Sequence, residues 1–194
     1  MGGVIWITGL PGSGKTAIAR AICDMLKNVG EKVEILDGDE IRRLISSELG
    51  FSKEDRILHN KRVIYIANLL SRNGVWAIIS LISPYKEVRE LARKTFPNYL
   101  EVYIECPIEY CAARNWRGLF EKAFKGEIKG LTGYDAPYEP PENPDVVVYA
   151  DKELPEEGAQ KIFQKLVEKG WVSPYKPEEE EEIKKHLSDL GYLG

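Results

Sequence analysis

Eight residues near the start of the chain have the types and spacing of a phosphate-binding loop. They match the pattern G-x-x-x-x-G-K-[ST] in full. Glycines let backbone N–H groups turn toward phosphate oxygens, and the pattern assigns Lys15 to the β- and γ-phosphates and the Thr16 hydroxyl to Mg²⁺. The loop is therefore predicted to bind a nucleoside triphosphate through Gly9, Leu10, Pro11, Gly12, Ser13, Gly14, Lys15 and Thr16.

The residues on either side of this loop support the interpretation. An apolar run, Val4–Ile7, precedes it and is typical of a buried strand, while residues 17–22 begin a helical pattern. A helix that starts at the loop adds its unpaired N–H donors and the positive end of its dipole. A chance glycine-rich turn is the alternative, but it does not require a strand before the loop and a helix after it.

Two carboxylates follow the second predicted strand, at Asp37 and Asp39. Ligands of open α/β sheets bind at the carboxyl ends of the strands. Near a magnesium triphosphate, such carboxylates can hold the water shell of the metal and accept a proton from an attacking hydroxyl. Asp39 also has the position of a helix cap, and the two roles are compatible.

Further polar residues lie after the strand ends. Arg42, Arg56 and Lys61 belong to the next two predicted helices, and arginine suits planar anions such as phosphate or sulfate. Surface ion pairs are the alternative for each of them. Ser83 ends the third strand and is expected to face the same crevice, although serine before proline is also an ordinary turn.

The order of elements predicts an α/β fold with a five-stranded parallel sheet and helices on both faces, and the phosphate loop makes it a nucleotide-binding fold of the phosphate-loop type. Strands are expected at Val4–Ile7, Val33–Leu36, Trp76–Leu81, Leu100–Glu105 and Val146–Tyr149, and helices at about 15–29, 39–49, 53–73, 85–95, 107–115 and 156–169. Residues 116–144 break this rhythm and are predicted to form a mobile lid. We expect one kinase domain over residues 1–172 and an acidic helical tail over 173–194.

Composition excludes several classes of function. The net charge of −4 argues against a nucleic-acid partner, and no apolar run approaches the roughly 20 residues of a membrane span. Met1 leads so directly into the first strand that we expect no signal peptide. Cys23, Cys106 and Cys111 have neither metal-site nor redox-motif spacing, so we interpret them as buried or incidental thiols of a cytoplasmic protein.

Several longer segments resemble one kinase family. They occur in order and at the family's separations within residues 3–150, and the chain is similar to adenylylsulfate kinase through GLPGSGKT, LDGDEIRR, LGFSKEDR, ISPYKEVRELAR, CPIEYCAARNWRGLF and GEIKGLTGYDAPYEPPENPD. The first segment is generic to many kinases, whereas the others are much more specific. The chain departs from the usual family pattern at His59, Asn115 and Leu131, where Asn, an acidic residue and Phe are common.

The resemblance implies an activity. Family members transfer the γ-phosphoryl group of ATP, with Mg²⁺, to the 3′-hydroxyl of adenosine 5′-phosphosulfate (adenylyl sulfate), which gives ADP and 3′-phosphoadenylyl sulfate. The family is often dimeric, so a homodimer is expected, with ATP and adenylyl sulfate as its small-molecule partners.

The resemblance also assigns roles to individual residues. It implies that the loop from Gly9 to Thr16 and Arg114 bind ATP, and that Lys15, Asp37, Asp39 and Ser83 are catalytic, with Thr16 and both aspartates serving the metal. Ser83 corresponds to a serine commonly described as a phosphoserine intermediate, and a hydroxyl that only contacts substrate would serve equally well. The substrate contacts implied are Asp39, Arg42, Phe51, Arg56, His59, Ile82, Ser83 and Lys129.

Two other functions remain open at this stage. Gluconate, shikimate and nucleoside kinases share the phosphate loop and differ in the acceptor pocket. A nucleotide-binding regulatory module would bind ATP without forming a product.

Overall fold

The computed structural model describes residues 2–114 and 118–190. Within these ranges five strands alternate with helices, in the order that the apolar runs predict. The strands are β1 (Val4–Gly9), β2 (Val33–Asp37), β3 (Trp76–Ser80), β4 (Tyr99–Glu105) and β5 (Val146–Tyr149). The helices are α1 (Lys15–Asn28), α2 (Gly38–Ile45), α3 (Lys53–Ser71), α4 (Lys86–Thr95), α5 (Ile108–Ala113), α6 (Leu119–Phe124), α7 (Pro155–Glu168) and α8 (Pro177–Asp189).

The five strands form one sheet in which every neighbouring pair is parallel, in the order β2-β3-β1-β4-β5. The predicted fold class is therefore confirmed. The register places Asp37 opposite Ser80, and Ser80 opposite Ile7 on the central strand. Consequently the carboxyl ends of β1, β2 and β3, where the candidate chemistry lies, meet at one edge of the sheet.

Apolar residues cover both faces of the sheet, as a parallel sheet requires. On β1 the side chains alternate: Ile5 and Ile7 join the core under α1 and α7, while Val4 and Trp6 join the core under α3 and α4. The loop that follows β1 is therefore attached to a strand that is buried along its whole length.

Two predictions are corrected here. Helix α2 ends at Ile45, not near residue 49, because the next residue, Ser46, is buried and bonded to side chains of α3. Cys106 and Cys111, interpreted above as thiols, form a disulfide with a Cα–Cα distance of 6.5 Å, while Cys23 is free. The first turn of α5 brings residue 111 back over residue 106, which spacing alone did not reveal.

The predicted lid and tail are partly described. Residues 118–144 contain the short helix α6 and irregular backbone. Asn115 and the first predicted lid residues, 116 and 117, lie outside the described residues, as do residues 191–194 of the tail. The acidic tail forms α8, which buries none of its side chains. In the described ranges, no helix combines the length and apolar character needed to cross a bilayer.

Candidate active site

The loop from Gly9 to Thr16 depends on glycine at two positions. Gly12 and Gly14 have φ angles of 75° and 95°, which favour glycine strongly. A Cβ on Gly12 would lie 3.1 Å from the Cys111 carbonyl oxygen, and one on Gly14 would lie 3.0 Å from Nη1 of Arg114. The loop therefore passes close to α5, and the Arg114 guanidinium lies beside the start of α1; its contact with ATP stays a prediction.

Lys15 keeps its ammonium group inside the loop. Its Nζ donates to the carbonyl oxygens of Gly9 at 3.0 Å and Leu10 at 2.6 Å. Burial lowers the pKa of Lys15 to about 8, against the opposing effect of the charges on Asp39 and Asp37. The two aspartates thus lie close enough to act on the lysine electrostatically, and the amine is held within the loop that is predicted to bind the triphosphate.

Thr16 and Asp37 bring oxygen atoms together beside the lysine. The Thr16 hydroxyl donates to Oδ2 of Asp37 at 3.0 Å, and it lies 3.4 Å from the Ser80 hydroxyl. The other Asp37 oxygen, Oδ1, accepts from the backbone N–H groups of Asp39 and Glu40 and so caps α2. Hydroxyl and carboxylate oxygens are the ligands Mg²⁺ prefers, so these residues fit the ion that the loop pattern implies.

Few protein ligands surround this position. Among residues 2–114 and 118–190, no group of three or more His, Cys, Asp or Glu side chains could hold a metal. Mg²⁺ is commonly held by one or two protein oxygens, with phosphate oxygens and water completing the shell. The small donor set therefore suits an ion that arrives with its nucleotide.

Asp39 lies in the first turn of α2 and is exposed, and the cap position expected for it belongs to Asp37. A glycine must precede it, because a Cβ on Gly38 would lie 2.5 Å from the Leu81 side chain and 3.1 Å from the Ser80 carbonyl oxygen. This close approach draws the start of α2 onto the end of β3. Asp39 is consequently held at the same sheet edge as Lys15.

A cationic cluster lies on α2 and α3, where Arg42 is close enough to Asp39 to be affected by its charge. We call the region between this cluster and the phosphate loop the cleft. The guanidinium groups of Arg42 and Arg56 lie 4.5 Å and 5.5 Å from the ring centre of Phe51, which is 66% exposed. Arg56 also donates to the carbonyl oxygens of Phe51 at 3.0 Å and Gly130 at 2.9 Å. Burial, and to a smaller extent the charge of Arg42, lowers the pKa of Arg56. An anion placed here would relieve that repulsion, and the exposed ring offers a stacking surface.

The bond from Arg56 to Gly130 also fixes the segment that carries Lys129. The Asp135 carboxylate accepts from the N–H groups of Gly130 at 2.8 Å and Leu131 at 2.6 Å. The same N–H groups lower the pKa of Asp135. Lys129 is exposed beside this turn, whereas Leu131 is buried in the core below it. The structure therefore brings the residue next to Lys129 into contact with the cationic cluster, and the contact of Lys129 with substrate stays a prediction.

Ser83 lies inside the protein, and its predicted catalytic role stays a prediction. Its side chain is buried, with the residue 2% exposed, and its hydroxyl accepts from Nε1 of Trp6 at 3.0 Å and donates to Oδ1 of Asn60 at 2.7 Å. Both hydrogen-bonding directions of the hydroxyl are thus used inside the protein. The backbone of Ser83 has a φ angle of 43°, the only positive φ of a non-glycine residue in the described ranges. The side chain holds a bend, and the half-buried Ile82 precedes it.

His59 is also placed behind the cleft. It is 4% exposed, its Nδ1 bonds the Ser46 hydroxyl at 3.0 Å, and burial lowers its pKa to about 4. A neutral, enclosed ring supports the Arg42 side of the site, and its direct contact with substrate stays a prediction. The next residue, Asn60, was missed by the sequence argument, although its position four residues after Arg56 places both on one face of α3.

Comparisons with known proteins identify the family. A family model described as Adenylylsulphate kinase matches residues 1–149. The chain belongs to the adenylylsulfate kinase family. A probable adenylyl-sulfate kinase of Pyrococcus abyssi is 52% identical over 171 residues, which cover 88% of this chain and 98% of that protein.

Solved structures place the chain in the same family. An APS kinase of Mycobacterium tuberculosis, solved with AMPPNP and APS, superimposes with a TM-score of 0.82 at 37% identity and covers 85% of this chain and 97% of its own. A hexameric APS kinase of Thiobacillus denitrificans gives a TM-score of 0.68 at 29% identity, covering 89% of this chain and 30% of its own. Most of the chain therefore shares the fold of these APS kinases.

Proposed function

We propose that this protein phosphorylates the 3′-hydroxyl of adenylyl sulfate with ATP and releases ADP and 3′-phosphoadenylyl sulfate, in the activation of sulfate. The observation that carries the proposal is the cluster of Arg42, Phe51 and Arg56, on the same sheet edge as the phosphate loop. An exposed ring beside two guanidinium groups suits an acceptor with a base and an anionic group.

The phosphate loop and Lys15 hold the triphosphate. Backbone N–H groups and the ammonium stabilise the negative charge that develops on the γ-phosphate oxygens during transfer. Thr16 and Asp37 are the residues that would hold Mg²⁺, which would offset the negative charge of the phosphates. Arg114, over the start of α1, would approach the nucleotide from outside.

Asp39 orients the acceptor. The 3′-oxygen forms a bond to the γ-phosphorus while the bond to the β,γ-bridging oxygen breaks, and the hydroxyl proton passes to the Asp39 carboxylate. Because the transition state is loose, orientation of the hydroxyl matters more than the strength of the base. Arg42, Arg56 and Lys129 would bind the phosphosulfate, with Phe51 on the adenine and Ile82 along the floor.

The domain limits are part of the proposal. A kinase domain over residues 1–172 is supported by α7, which packs on α1, and by Val172, which is buried in the core. Residues 118–144 supply the described part of the lid. The acidic tail lies outside this core, since α8 buries none of its side chains.

We also propose a cytoplasmic homodimer. Use of ATP as phosphoryl donor supports an intracellular location, whereas the Cys106–Cys111 disulfide removes the argument from free thiols. The dimer follows from the resemblance, and light scattering of the purified protein should give twice the mass of one chain. A monomeric or hexameric mass would contradict it.

Product analysis tests the function. The protein is incubated with Mg²⁺, ATP labelled in the γ-phosphate and adenylyl sulfate, and the labelled product is separated by ion exchange. We expect label at the 3′-oxygen and none with the 3′-deoxy analogue as control. Label transferred to gluconate or shikimate instead would indicate another small-molecule kinase, and ATP binding without any labelled acceptor would indicate a regulatory module.

A further inference from the structure

A buried arginine outside the cleft joins two segments that border it. Arg89, on α4, is 3% exposed. Its Nη1 donates to the Ser83 carbonyl oxygen at 2.6 Å and its Nη2 to the Glu139 carbonyl oxygen at 2.5 Å. Its Nε pairs with the buried carboxylate of Glu101 at 3.2 Å. One side chain thus ties the bend after β3 to the end of the lid segment.

Both carbonyl partners lie where position matters for the proposed reaction. Ser83 carries the positive-φ bend beside Ile82, on the floor of the acceptor side. Glu139 lies where the chain returns from the lid to the sheet, and its N–H donates to the Pro84 carbonyl oxygen at 2.8 Å. The return of the lid is therefore anchored to the bend itself and not to a distant part of the surface.

A second set of contacts, made by Thr8 on β1, holds the bend and the lid segment together. The hydroxyl groups of Tyr138 and Thr8 lie 2.9 Å apart, and the Thr8 hydroxyl donates to the Ile82 carbonyl oxygen at 2.6 Å. Tyr138 also stacks on Tyr103, with ring centres 6.2 Å apart. We name these contacts of Thr8, residues 82–84, Arg89 and residues 138–139 the lid clasp.

The side-chain type at position 89 indicates what the residue does. A buried charge is costly unless it is paired, so stability alone does not favour it between two neutral carbonyls. Its rigid planar fork, however, fixes the separation of two acceptors, which a lysine ammonium cannot do. Glu101 supplies the compensating charge and also pairs with Arg93.

We propose that Arg89 is a positioning residue that sets the lid in register with the acceptor floor, so that closure excludes water and ATP is spent on transfer instead of hydrolysis. This inference rests on the function proposed above. Water excluded by a closed lid is what separates transfer from hydrolysis in such sites. A lid anchored out of register would close incompletely over the bound substrates.

The test compares Arg89→Lys with Glu101→Gln. Arg89→Lys keeps the positive charge and loses the planar guanidinium group. Glu101→Gln weakens the ion pair and leaves both hydrogen bonds from Arg89 to carbonyl oxygens in place. The readouts are ADP formed per labelled 3′-product and the KM values for both substrates. We expect Arg89→Lys to raise the ADP-to-product ratio at least about threefold and the KM for adenylyl sulfate about tenfold. Glu101→Gln should lower the melting temperature and keep the wild-type ratio.

A ratio in folded Arg89→Lys equal to that of the wild type would overturn the proposal, as would an equal rise in Glu101→Gln. If Arg89→Lys fails to fold by circular dichroism, Tyr138→Phe decides, because it removes one hydroxyl of the lid clasp and keeps the ring. It should raise the same ratio, and a wild-type ratio would reject the clasp.

A failure of the proposed function can be distinguished from a failure of the inference about Arg89. In that case the wild-type protein forms no 3′-product, and hydrogen exchange at the Glu139 amide becomes the readout. Faster exchange in Arg89→Lys than in Glu101→Gln supports the anchoring role, and equal exchange rejects it.

Discussion

The charged form of Lys15 costs free energy, because burial opposes protonation of the amine. Such a group is maintained where it meets an anion, and transfer of a phosphoryl group develops charge on the oxygens that this lysine would contact. We expect Lys15→Ala to lower kcat/KM for ATP by at least about two orders of magnitude. The measurement is ADP release at saturating adenylyl sulfate, and near-normal transfer by a folded variant would contradict the assignment.

The same lysine predicts a pH dependence. Its pKa of about 8 in the ligand-free protein means that the ammonium is present below this pH and lost above it. We expect kcat/KM for ATP to fall as the pH rises through about 8, whereas kcat at saturating ATP persists to higher pH, because bound phosphates favour the charged form. Profiles of both constants check this, and a kcat/KM that is flat across this range would count against it.

Substitution of Ser83 distinguishes a structural role of its hydroxyl from a covalent one. Removal of its hydroxyl leaves the Trp6 N–H and the Asn60 amide oxygen without their partner, so Ser83→Ala should lower the free energy of unfolding by about 1–3 kcal/mol. We expect kcat to remain within about tenfold of the wild type, since in-line transfer needs no protein nucleophile. Denaturant unfolding and ADP release provide the two numbers. A phosphoserine intermediate would instead make the variant inactive by several orders of magnitude.

At the scale of elements, the turn after Lys129 is organised by one carboxylate. Asp135 accepts from two backbone N–H groups there, and Arg56 reaches the Gly130 carbonyl oxygen from α3. We expect Asp135→Asn to raise the KM for adenylyl sulfate about tenfold and that for ATP less than about threefold, because the turn borders the acceptor side.

Glu127→Gln is the matched control for that experiment. Glu127 is exposed in the same segment, so its substitution removes one negative charge without touching the turn. Equal effects of the two substitutions on the KM for adenylyl sulfate would show that net charge, and not the geometry of the turn, is responsible.

The elements were largely predictable because their signals are local. Each predicted strand lies within a residue or two of an observed one, since parallel strands buried on both faces have continuous apolar runs. Likewise α3 begins at Lys53, as predicted, and there the Ser52 hydroxyl accepts from the Asp55 N–H and caps the helix. The end of α2 was not predictable, because bonds from His59 and Arg62 to Ser46 stop the helix.

At the scale of the whole molecule, part of the site could be predicted from local sequence signals and part could not. Motifs at the ends of strands predict the loop, Asp37, Asp39 and the arginines. The partners of Ser83 do not, because Trp6 lies 77 residues away along the chain and only the folded sheet brings the two together. Arg89 was missed for the same reason, since Glu139 is 50 residues away from it.

The central claim is that one sheet edge joins a triphosphate loop to an acceptor site built for an anion. It is tested most directly by coupled ADP release, with kcat/KM measured for adenylyl sulfate and for AMP under identical conditions. Since the two acceptors differ only in the sulfate, we predict a preference of at least about 100-fold for adenylyl sulfate. Equal kcat/KM values, or ADP release independent of either acceptor, would contradict the account.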